Sequence, residues 1–311
     1  MTHLAMGTGA EFDVIRRLLH IWGDAAEGIG DDAATLRVPV GEQLCVSTDA
    51  CVEHVHFRRE WLTPREVGAR AAAAALSDLA AMAATPVGLL LALALPESWR
   101  ADVEEIARGV SDVAHAVQCP IVGGNMSAAR ELSLVLTVLG TAAQPLRRNR
   151  TRAGDALYVT GTLGGPAAAL HAWLEGREPA APHRERFARP TPRIAEARWL
   201  ADAGVCAAID ISDGLAADAA HLANASGVSI VLDANAVPRV AGVTLQQAIA
   251  GGEEYELLFA SRPEIPLDLE TFRSRFGVSL TRVGTIVARM GSAVHVDGAD
   301  VASLHGHNHF P

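Results

Sequence analysis

The chain has 311 residues, half of them hydrophobic and a fifth charged, which is the composition of a globular protein of about two domains, not of a disordered or fibrous chain. Its formal charge of −10 disfavours nonspecific binding to a nucleic-acid backbone. All 26 basic residues are arginine, which excludes every mechanism built on a lysine, including a Walker A loop, the protein-kinase ATP lysine, a Schiff base and a lysyl-nucleotide intermediate.

In chain order, Glu11 to Trp22 has helical periodicity, with Phe12, Ile15, Leu18 and Leu19 on one side. Leu44 to Thr48 reads as a strand. Thr63-Pro64-Arg65-Glu66 carries a hydroxyl N-cap, a proline at the first helical position and a glutamate at the third, so a helix is predicted from there to about Ala84. Val87 to Leu95 reads as a buried strand, Trp99 to Val117 as a helix, Pro120 to Val122 as a strand stub and Leu132 to Thr141 as a long strand compatible with burial on both faces. The polar, arginine-rich stretch Gln144 to Asp155 divides residues 1–146 from 147–311. Beyond it come a strand at Ala156 to Thr160, a Gly-rich turn at Gly161 to Gly165, a helix at Ala167 to Leu174 and a polar loop at Glu175 to Pro190. Then follow a helix at Pro192 to Ala203, a strand at Val205 to Ile209, a helix at Gly214 to Ala225 and strands at Val228 to Leu232, Leu257 to Ala260, Ser279 to Ile286 and Ala293 to Val296. Both halves mix strands and helices, an α/β (α+β) organisation.

Cys45, Cys51, Cys119 and Cys206 form no CxxC pair and sit in or beside apolar runs. They read as buried thiols of a reducing, cytoplasmic compartment. The N-terminus has no long apolar segment, so no signal peptide is expected. Thr85, Pro86 and Gly88 interrupt the longest apolar stretch, Leu79 to Leu95, so no membrane span is expected.

Chemistry is suggested by carboxylates and hydroxyls at strand ends. Gly28-Ile29-Gly30-Asp31-Asp32 places two adjacent carboxylates after a flexible turn, a cation site or a solvated acidic turn. Ser47-Thr48-Asp49 offers hard oxygen ligands for Mg²⁺, or a strand cap. Asp78 lies in GARAAAAALSDLAAMAA among alanines, where a buried carboxylate needs a metal or a basic partner from elsewhere. Gly123-Gly124-Asn125-Met126-Ser127 reads as a turn whose backbone could approach an anion. In Asp210-Ile211-Ser212-Asp213-Gly214, Ser212 and Asp213 suit a helix start where a phosphate would be welcome, and an ordinary cap leaves Asp210 unexplained. Gly251-Gly252-Glu253-Glu254-Tyr255-Glu256 reads, taken alone, as a solvated acidic loop around one tyrosine. His54 and His56 would share one strand face, as in metal hydrolases. His305, His307 and His309 alternate near the end of the chain. Several Asp-bearing turns and no lysine suit a site in which Mg²⁺ neutralises a polyphosphate.

GIGDDAA, STDACVEHVHF, SDLAAMAA, VGGNMS, DISDGL and GGEEYEL occur in the order and spacing of bacterial thiamine-monophosphate kinases, and the chain resembles that family from Glu11 to about Phe310. The family belongs to the superfamily of aminoimidazole ribonucleotide synthetase and selenophosphate synthetase. The resemblance implies direct, in-line transfer of the ATP γ-phosphate to thiamine monophosphate with several Mg²⁺ ions. It implies metal ligands at Asp32, Ser47, Thr48, Asp49, Asp78, Asn125, Asp210 and Asp213, of which Asp78, Asp210 and Asp213 would be catalytic. Gly124, Asn125, Arg148 and Ser212 would contact ATP, and His56, Glu253 and Leu304 the thiamine substrate. His54 has no counterpart role. The implied fold is a two-domain synthetase-superfamily fold. Its N-terminal domain binds ATP and Mg²⁺ and pairs across a homodimer into a β-barrel, and a C-terminal α/β domain completes the active site. Neither nucleic acid nor membrane is an implied partner.

Two positions depart from the family pattern. Asn125 stands where the family usually has Asp, keeping an oxygen but losing a charge, which is expected to weaken one metal site. Leu304 stands where the family often has Trp, losing a stack on the thiamine ring worth roughly 0.5–2 kcal/mol unless His305 or His307 substitutes. These departures keep two alternatives in view, another ATP-dependent enzyme of the superfamily and a non-catalytic nucleotide-binding homologue.

Overall fold

The structure is a computed structural model that describes residues 10–29 and 32–297. The described residues form two compact units, the second beginning at Pro145 and also taking in Ala80–Ala83. The chain runs through α1 (Ala10–Trp22), β1 (Gln43–Val52), α2 (Pro64–Ala81), β2 (Thr85–Leu95), α3 (Val103–Ala116), β3 (Ile121–Ala128) and β4 (Ser133–Ala142) in the first unit. The second unit holds β5 (Ala156–Thr160), α4 (Gly165–Leu174), α5 (Ala181–Ala188), α6 (Ile194–Asp202), β6 (Ala207–Asp210), α7 (Leu215–Ser226), β7 (Val228–Asp233), α8 (Leu245–Ala250), β8 (Leu257–Ser261), α9 (Leu269–Phe276), β9 (Leu280–Ala288) and β10 (Val294–Asp297).

In the first unit a four-stranded sheet has the order β1-β4-β2-β3. Only β2 and β3 are parallel. Strand alternation sorts its residues into two faces. Cys45, Cys51, Leu89, Leu91, Leu93, Leu134, Leu136 and Val138 are buried on one face. On the other, Leu44 and Val46 remain exposed and Leu90, Val135 and Leu139 half-buried. In the single chain β4 therefore alternates between buried and half-buried residues. The helix α2 starts as read: Thr63 and Glu66 form the reciprocal cap, with the Thr63 N–H donating to Glu66 Oε2 at 2.9 Å and the Glu66 N–H to Thr63 Oγ1 at 3.3 Å. α2 and α3 cross with backbones touching. A Cβ on Gly68 would strike the Ile106 carbonyl and a Cβ on Gly109 the Arg65 carbonyl.

Three expectations are corrected in this unit. The Gly123–Ser127 segment is not a turn but the body of β3. The helix expected from Trp99 opens with a 3-10 turn at Glu97–Asp102, which lets Trp99 point inward, before α3 begins. β1 extends beyond Thr48 to Val52.

The second unit carries a six-stranded sheet, β10-β7-β9-β5-β8-β6, mostly antiparallel with β10 and β7 parallel. Its core joins Leu157, Val159, Ile209, Leu215, Leu222, Ile230, Leu258 and Val283. Tyr158 and Phe259 face each other across β5 and β8 and stack at 5.5 Å. The polar stretch Glu175 to Pro190 is not wholly a loop, because Ala181–Ala188 forms α5 and buries Phe187 against Trp173. α8 and α9 were not expected. Each is short and is started by a side-chain cap, Thr244 with Gln247 and Asp268 with Thr271. All four cysteines are free thiols, three buried and Cys206 half-buried. Among the described residues no helix is long and apolar enough to cross a membrane.

The backbone contact between α2 and α3 leaves no room for a methyl group. Gly109→Ala is expected to destabilise the protein by about 1–3 kcal/mol, read as a lower urea midpoint with an unchanged slope. An unchanged midpoint would show that the helices can separate without cost.

Candidate functional site

Each unit gathers candidate residues of its own. In the first, Ser47 and Asp49 point to the α2 side of the sheet. The Ser47 hydroxyl donates to Asp78 Oδ2 at 2.5 Å. Asp78 is half-buried while its helix neighbours Ala71 to Ser77 are buried, so a hydroxyl from β1, not a basic group, is the partner the structure gives that oxygen. Asp49 Oδ1 accepts from the Ala50 N–H at 2.7 Å. Thr48 points the other way. Its Oγ1 lies 3.1 Å from Thr137 Oγ1 across the strand pair, so alternation separates it from Ser47 and Asp49.

Gly124 and Asn125 lie on β3 opposite Leu91 and Ala92. β1 and β3 are the two edges of the sheet, three strand spacings or about 14 Å apart. Within this sheet, then, Asn125 does not join Ser47 and Asp49. Gly124 is sterically required, since a Cβ there would strike the Leu91 carbonyl. Asp32 is exposed; its neighbours Gly30 and Asp31 lie outside the described residues, as do Leu304, His305, His307 and His309.

His54 and His56 do not share a strand face. They sit in the turn that leaves β1, with His54 at φ 68° and exposed. The turn closes through the His54 N–H to the Phe57 carbonyl at 2.7 Å and the His56 N–H to the Val52 carbonyl at 2.9 Å. His56 Nδ1 accepts the Val52 N–H at 3.1 Å, so a neutral His56 carries its proton on Nε2 and offers a donor there. Beneath the turn, buried Glu53 accepts from Trp99 Nε1 at 3.0 and 3.1 Å.

In the second unit, β6 ends on buried Asp210 and the chain turns through Ser212 and Asp213 into α7. Asp218, on the first turn of α7 and buried, was not singled out by the sequence. Its Oδ2 accepts three consecutive backbone N–H groups, from Ser212 at 3.0 Å and from Asp213 and Gly214 at 3.1 Å each. Burial pushes the Asp218 carboxyl up to about 7. The charges of Asp210 and Asp213 add to the rise, and the backbone donors work against it. Asp213, Asp218 and exposed His221 bring one ligand atom each within 4.8 Å of one another. Arg148 is exposed, and its carbonyl accepts the Ser226 hydroxyl at 2.8 Å.

The Gly251–Glu256 segment is bound to this turn by backbone bonds. The Glu253 N–H donates to the Ser212 carbonyl at 2.7 Å, the Glu254 and Tyr255 N–H groups to Ile211 at 3.1 and 2.9 Å, and the Ile211 N–H to Glu256 at 2.8 Å. A side chain at Gly252 would strike the Ser212 carbonyl. Glu253 and Tyr255 adopt φ values of 66° and 53°, a conformation that costs of order 1 kcal/mol or more each and persists only where the surroundings enforce it. The Tyr255 hydroxyl donates to Glu253 Oε2 at 2.7 Å.

The segment is not a solvated acidic loop. Glu254 and Glu256 are buried. Arg193 Nε and Nη2 grip Glu256 at 2.8 and 2.6 Å, Arg186 Nη1 adds 2.9 Å and the Thr160 hydroxyl 2.6 Å. Burial alone would raise the Glu256 carboxyl, but the two arginines and Thr160 hold it below its ordinary range. Burial also opposes the Arg193 charge, and Glu256 and Glu196 more than offset that. Glu254 differs. Oε1 accepts from the Gly164 N–H, Oε2 has no hydrogen-bond partner, and Arg186 stands 3.5 Å off. Burial pushes it up to about 8 despite Arg186, so Glu254 keeps its proton at neutral pH. The Arg186–Glu256–Arg193 lattice was not read from the sequence. The signal was present as two acids at i and i+2 beside an apolar run, one arginine in the expected loop and one in the first turn of the helix expected from Pro192.

Comparison with known proteins covers nearly the whole chain. The N-terminal domain of the AIR synthase related protein family matches residues 30–142, and its C-terminal domain matches residues 152–297. The thiamine-monophosphate kinase of Salmonella typhimurium is 36% identical over 306 residues, covering 92% of this chain and 93% of its own. Among solved structures, the thiamine-monophosphate kinase from Stenotrophomonas maltophilia K279a superposes with a TM-score of 0.83 at 35% identity, over 93% of this chain and 97% of that one. AaThiL complexed with AMPPCP and TMP superposes with a TM-score of 0.78 at 30% identity, over 98% and 100%.

The proton on Glu254 has a consequence for stability. The folded chain holds it up to about pH 8, whereas the unfolded carboxyl loses it near its ordinary value of 4.5. Between those limits the native state binds more protons, so this group makes stability fall as pH rises, by up to about 1.4 kcal/mol per pH unit. Glu254→Gln is expected to remove that fall, leaving the one due to Asp218, of similar slope but ending near pH 7. Urea midpoints at pH 5, 6, 7 and 8 decide it, and identical slopes for variant and wild type would contradict a protonated Glu254.

Proposed function

We propose that this chain, which belongs to the thiamine-monophosphate kinase family, transfers the γ-phosphate of ATP to thiamine monophosphate, giving thiamine diphosphate and ADP. The observation that carries this reading is kinship along the full length to a kinase, with likeness over 98% of the chain to a relative complexed with the ATP analogue AMPPCP and with TMP. A phosphate oxygen of thiamine monophosphate attacks the γ-phosphorus, and the bond to the bridging oxygen breaks with its electron pair leaving on ADP. Such an oxygen is already nucleophilic at neutral pH, so no dedicated base is required.

The difficulty is charge, because two anions must meet. The donor set fits Mg²⁺: Ser47, Asp49 and Asp78 in one unit, and Asp210 and Asp213 in the other, offer hard oxygen ligands, and the mutual repulsion felt at Asp218 is what a cation relieves. In this reading Asp32 is a further ligand, and Thr48 and Asn125, which the sheet sets apart from Ser47 and Asp49, would serve cations at separate positions. Bound there, Mg²⁺ supplies charge neutralisation and fixes phosphate oxygens. Gly124, Asn125, Arg148 and Ser212 contact ATP, Arg148 as a permanently charged clamp. His56 offers its Nε2 proton, and Glu253 its carboxylate, to the thiamine substrate. Leu304 belongs to the same proposed contact.

We read residues 1–146 as the nucleotide, Mg²⁺ and dimerisation domain and 147–311 as the domain that completes catalysis. A homodimer is supported by the exposed face of the first sheet, where Leu44 and Val46 lie in the open beside half-buried Leu90, Val135 and Leu139. A second copy closing on that face would bury it and satisfy both sheet edges. Free thiols favour the cytoplasm.

Purified protein incubated with ATP, Mg²⁺ and thiamine monophosphate is expected to form thiamine diphosphate, resolved by chromatography. Asp78→Ala and Asp213→Ala should each lower the rate by about 100-fold or more. Absence of product from a folded, ATP-binding protein across a wide Mg²⁺ range would overturn the substrate assignment.

A further inference from the structure

A turn between a strand and a helix N-terminus, with successive N–H groups pointing into one concavity, is the usual cradle for a phosphate oxygen. The turn after β6 has that form, and the sequence invites a phosphate into it. The structure fills it from within: the N–H groups of Ser212, Asp213 and Gly214 all converge on one oxygen of Asp218. Three donors on a single carboxylate oxygen leave no N–H of these residues for a ligand. They fix the turn from behind, while the backbone bonds from Glu253, Glu254 and Tyr255 fix it from the side. The α7 helix that carries Asp218 runs 12 residues with buried Leu215, Ala219 and Leu222, so its placement is rigid. The side chains then left facing outward from the turn are Ser212 and Asp213, both half-buried.

We propose that Asp218 is a positioning residue for phosphoryl transfer. By occupying the anion cradle with the chain's own carboxylate, it converts the Asp210–Gly214 turn from a phosphate-binding loop into one that presents Asp213, and Asp210 behind it, to a cation. The backbone N–H groups of this turn then take no part in holding the nucleotide's phosphates, which meet it through metal and through the Ser212 side chain. The inference rests on the kinase reading for its catalytic meaning, but not for its structural and metal-binding content.

Asp218→Asn keeps a carbonyl oxygen able to accept the three N–H groups and removes the charge. Asp218→Ala removes both. Two readouts are taken on the full chain: Mn²⁺ affinity by electron paramagnetic resonance without nucleotide, and steady-state kinetics against Mg²⁺ and thiamine monophosphate. Asp218→Ala is expected to weaken Mn²⁺ binding and raise the half-saturating Mg²⁺ concentration by about 10-fold or more, with the KM for thiamine monophosphate within about twofold. Asp218→Asn should restore both metal readouts to within about threefold of wild type. Equal loss in both variants would make Asp218 a direct metal ligand and overturn the proposal. No change in Asp218→Ala, or no Mn²⁺ binding by wild type, would overturn it as well. If Asp218→Ala does not fold, Asp218→Asn decides alone: near-wild-type metal binding supports the proposal and a 10-fold loss overturns it. Wild-type protein that forms no thiamine diphosphate while Asp218→Ala still weakens Mn²⁺ binding would remove the kinase reading and leave the positioning role standing.

Discussion

Carboxylates gathered in one place repel one another, and burial strengthens the repulsion because water no longer screens it. This chain buries or half-buries acidic residues at several strand ends, and much of the local structure can be understood as the set of ways in which their charge is met. Glu256 is met by two arginines and a hydroxyl. Asp218 is met by three backbone N–H groups. Glu53 takes the indole N–H of Trp99. Glu254 keeps its proton. Asp78 has the Ser47 hydroxyl on one oxygen, which neutralises nothing.

The sorting separates scaffold from chemistry. Acids that face inward from the Gly251–Glu256 segment are locked and serve the fold, and they hold the strained Glu253 and Tyr255 in place. In the proposed reading, the acids on the turn after β6, on β1 and on α2 are the ones that meet a ligand. A cation that then brings in phosphate is the economical completion of that arrangement. It also fits a chain without lysine, in which permanent positive charge comes only from arginine and from metal.

Much of this was legible in the sequence, for physical reasons that differ by element. α2 was visible because Thr63, Pro64 and Glu66 form a complete start signal. β5 was visible at Ala156–Thr160 because apolar residues end against a glycine turn. α5, α8 and α9 were missed because each is a helix of eight residues or fewer, too short to show a period. Gly123 to Ser127 was misread because paired glycines signal a turn, whereas here Gly124 is demanded by close contact with β2. Asp49, Asp78, Asp210 and Asp213 stand out in the sequence because a carboxylate after an apolar run or among alanines is conspicuous. Asp218 does not, because an acid in the first turn of a helix is ordinary, and only the three converging N–H groups set it apart. The pairing of Arg186 and Arg193 with Glu256, some 63 to 70 residues away, has no local signature.

The central claim is that the carboxylates of β1, α2 and the turn after β6 meet cations while Glu254 and Glu256 do not. The most direct measurement is a crystal structure with AMPPCP and Mn²⁺, reading metal positions from anomalous scattering. Manganese peaks within ligand distance of Asp49 or Asp78, and of Asp210 or Asp213, with none at Glu254 or Glu256, are the expected result. Manganese bound at Glu254 or Glu256, or nucleotide held with no metal at Asp49, Asp78, Asp210 or Asp213, would contradict the account.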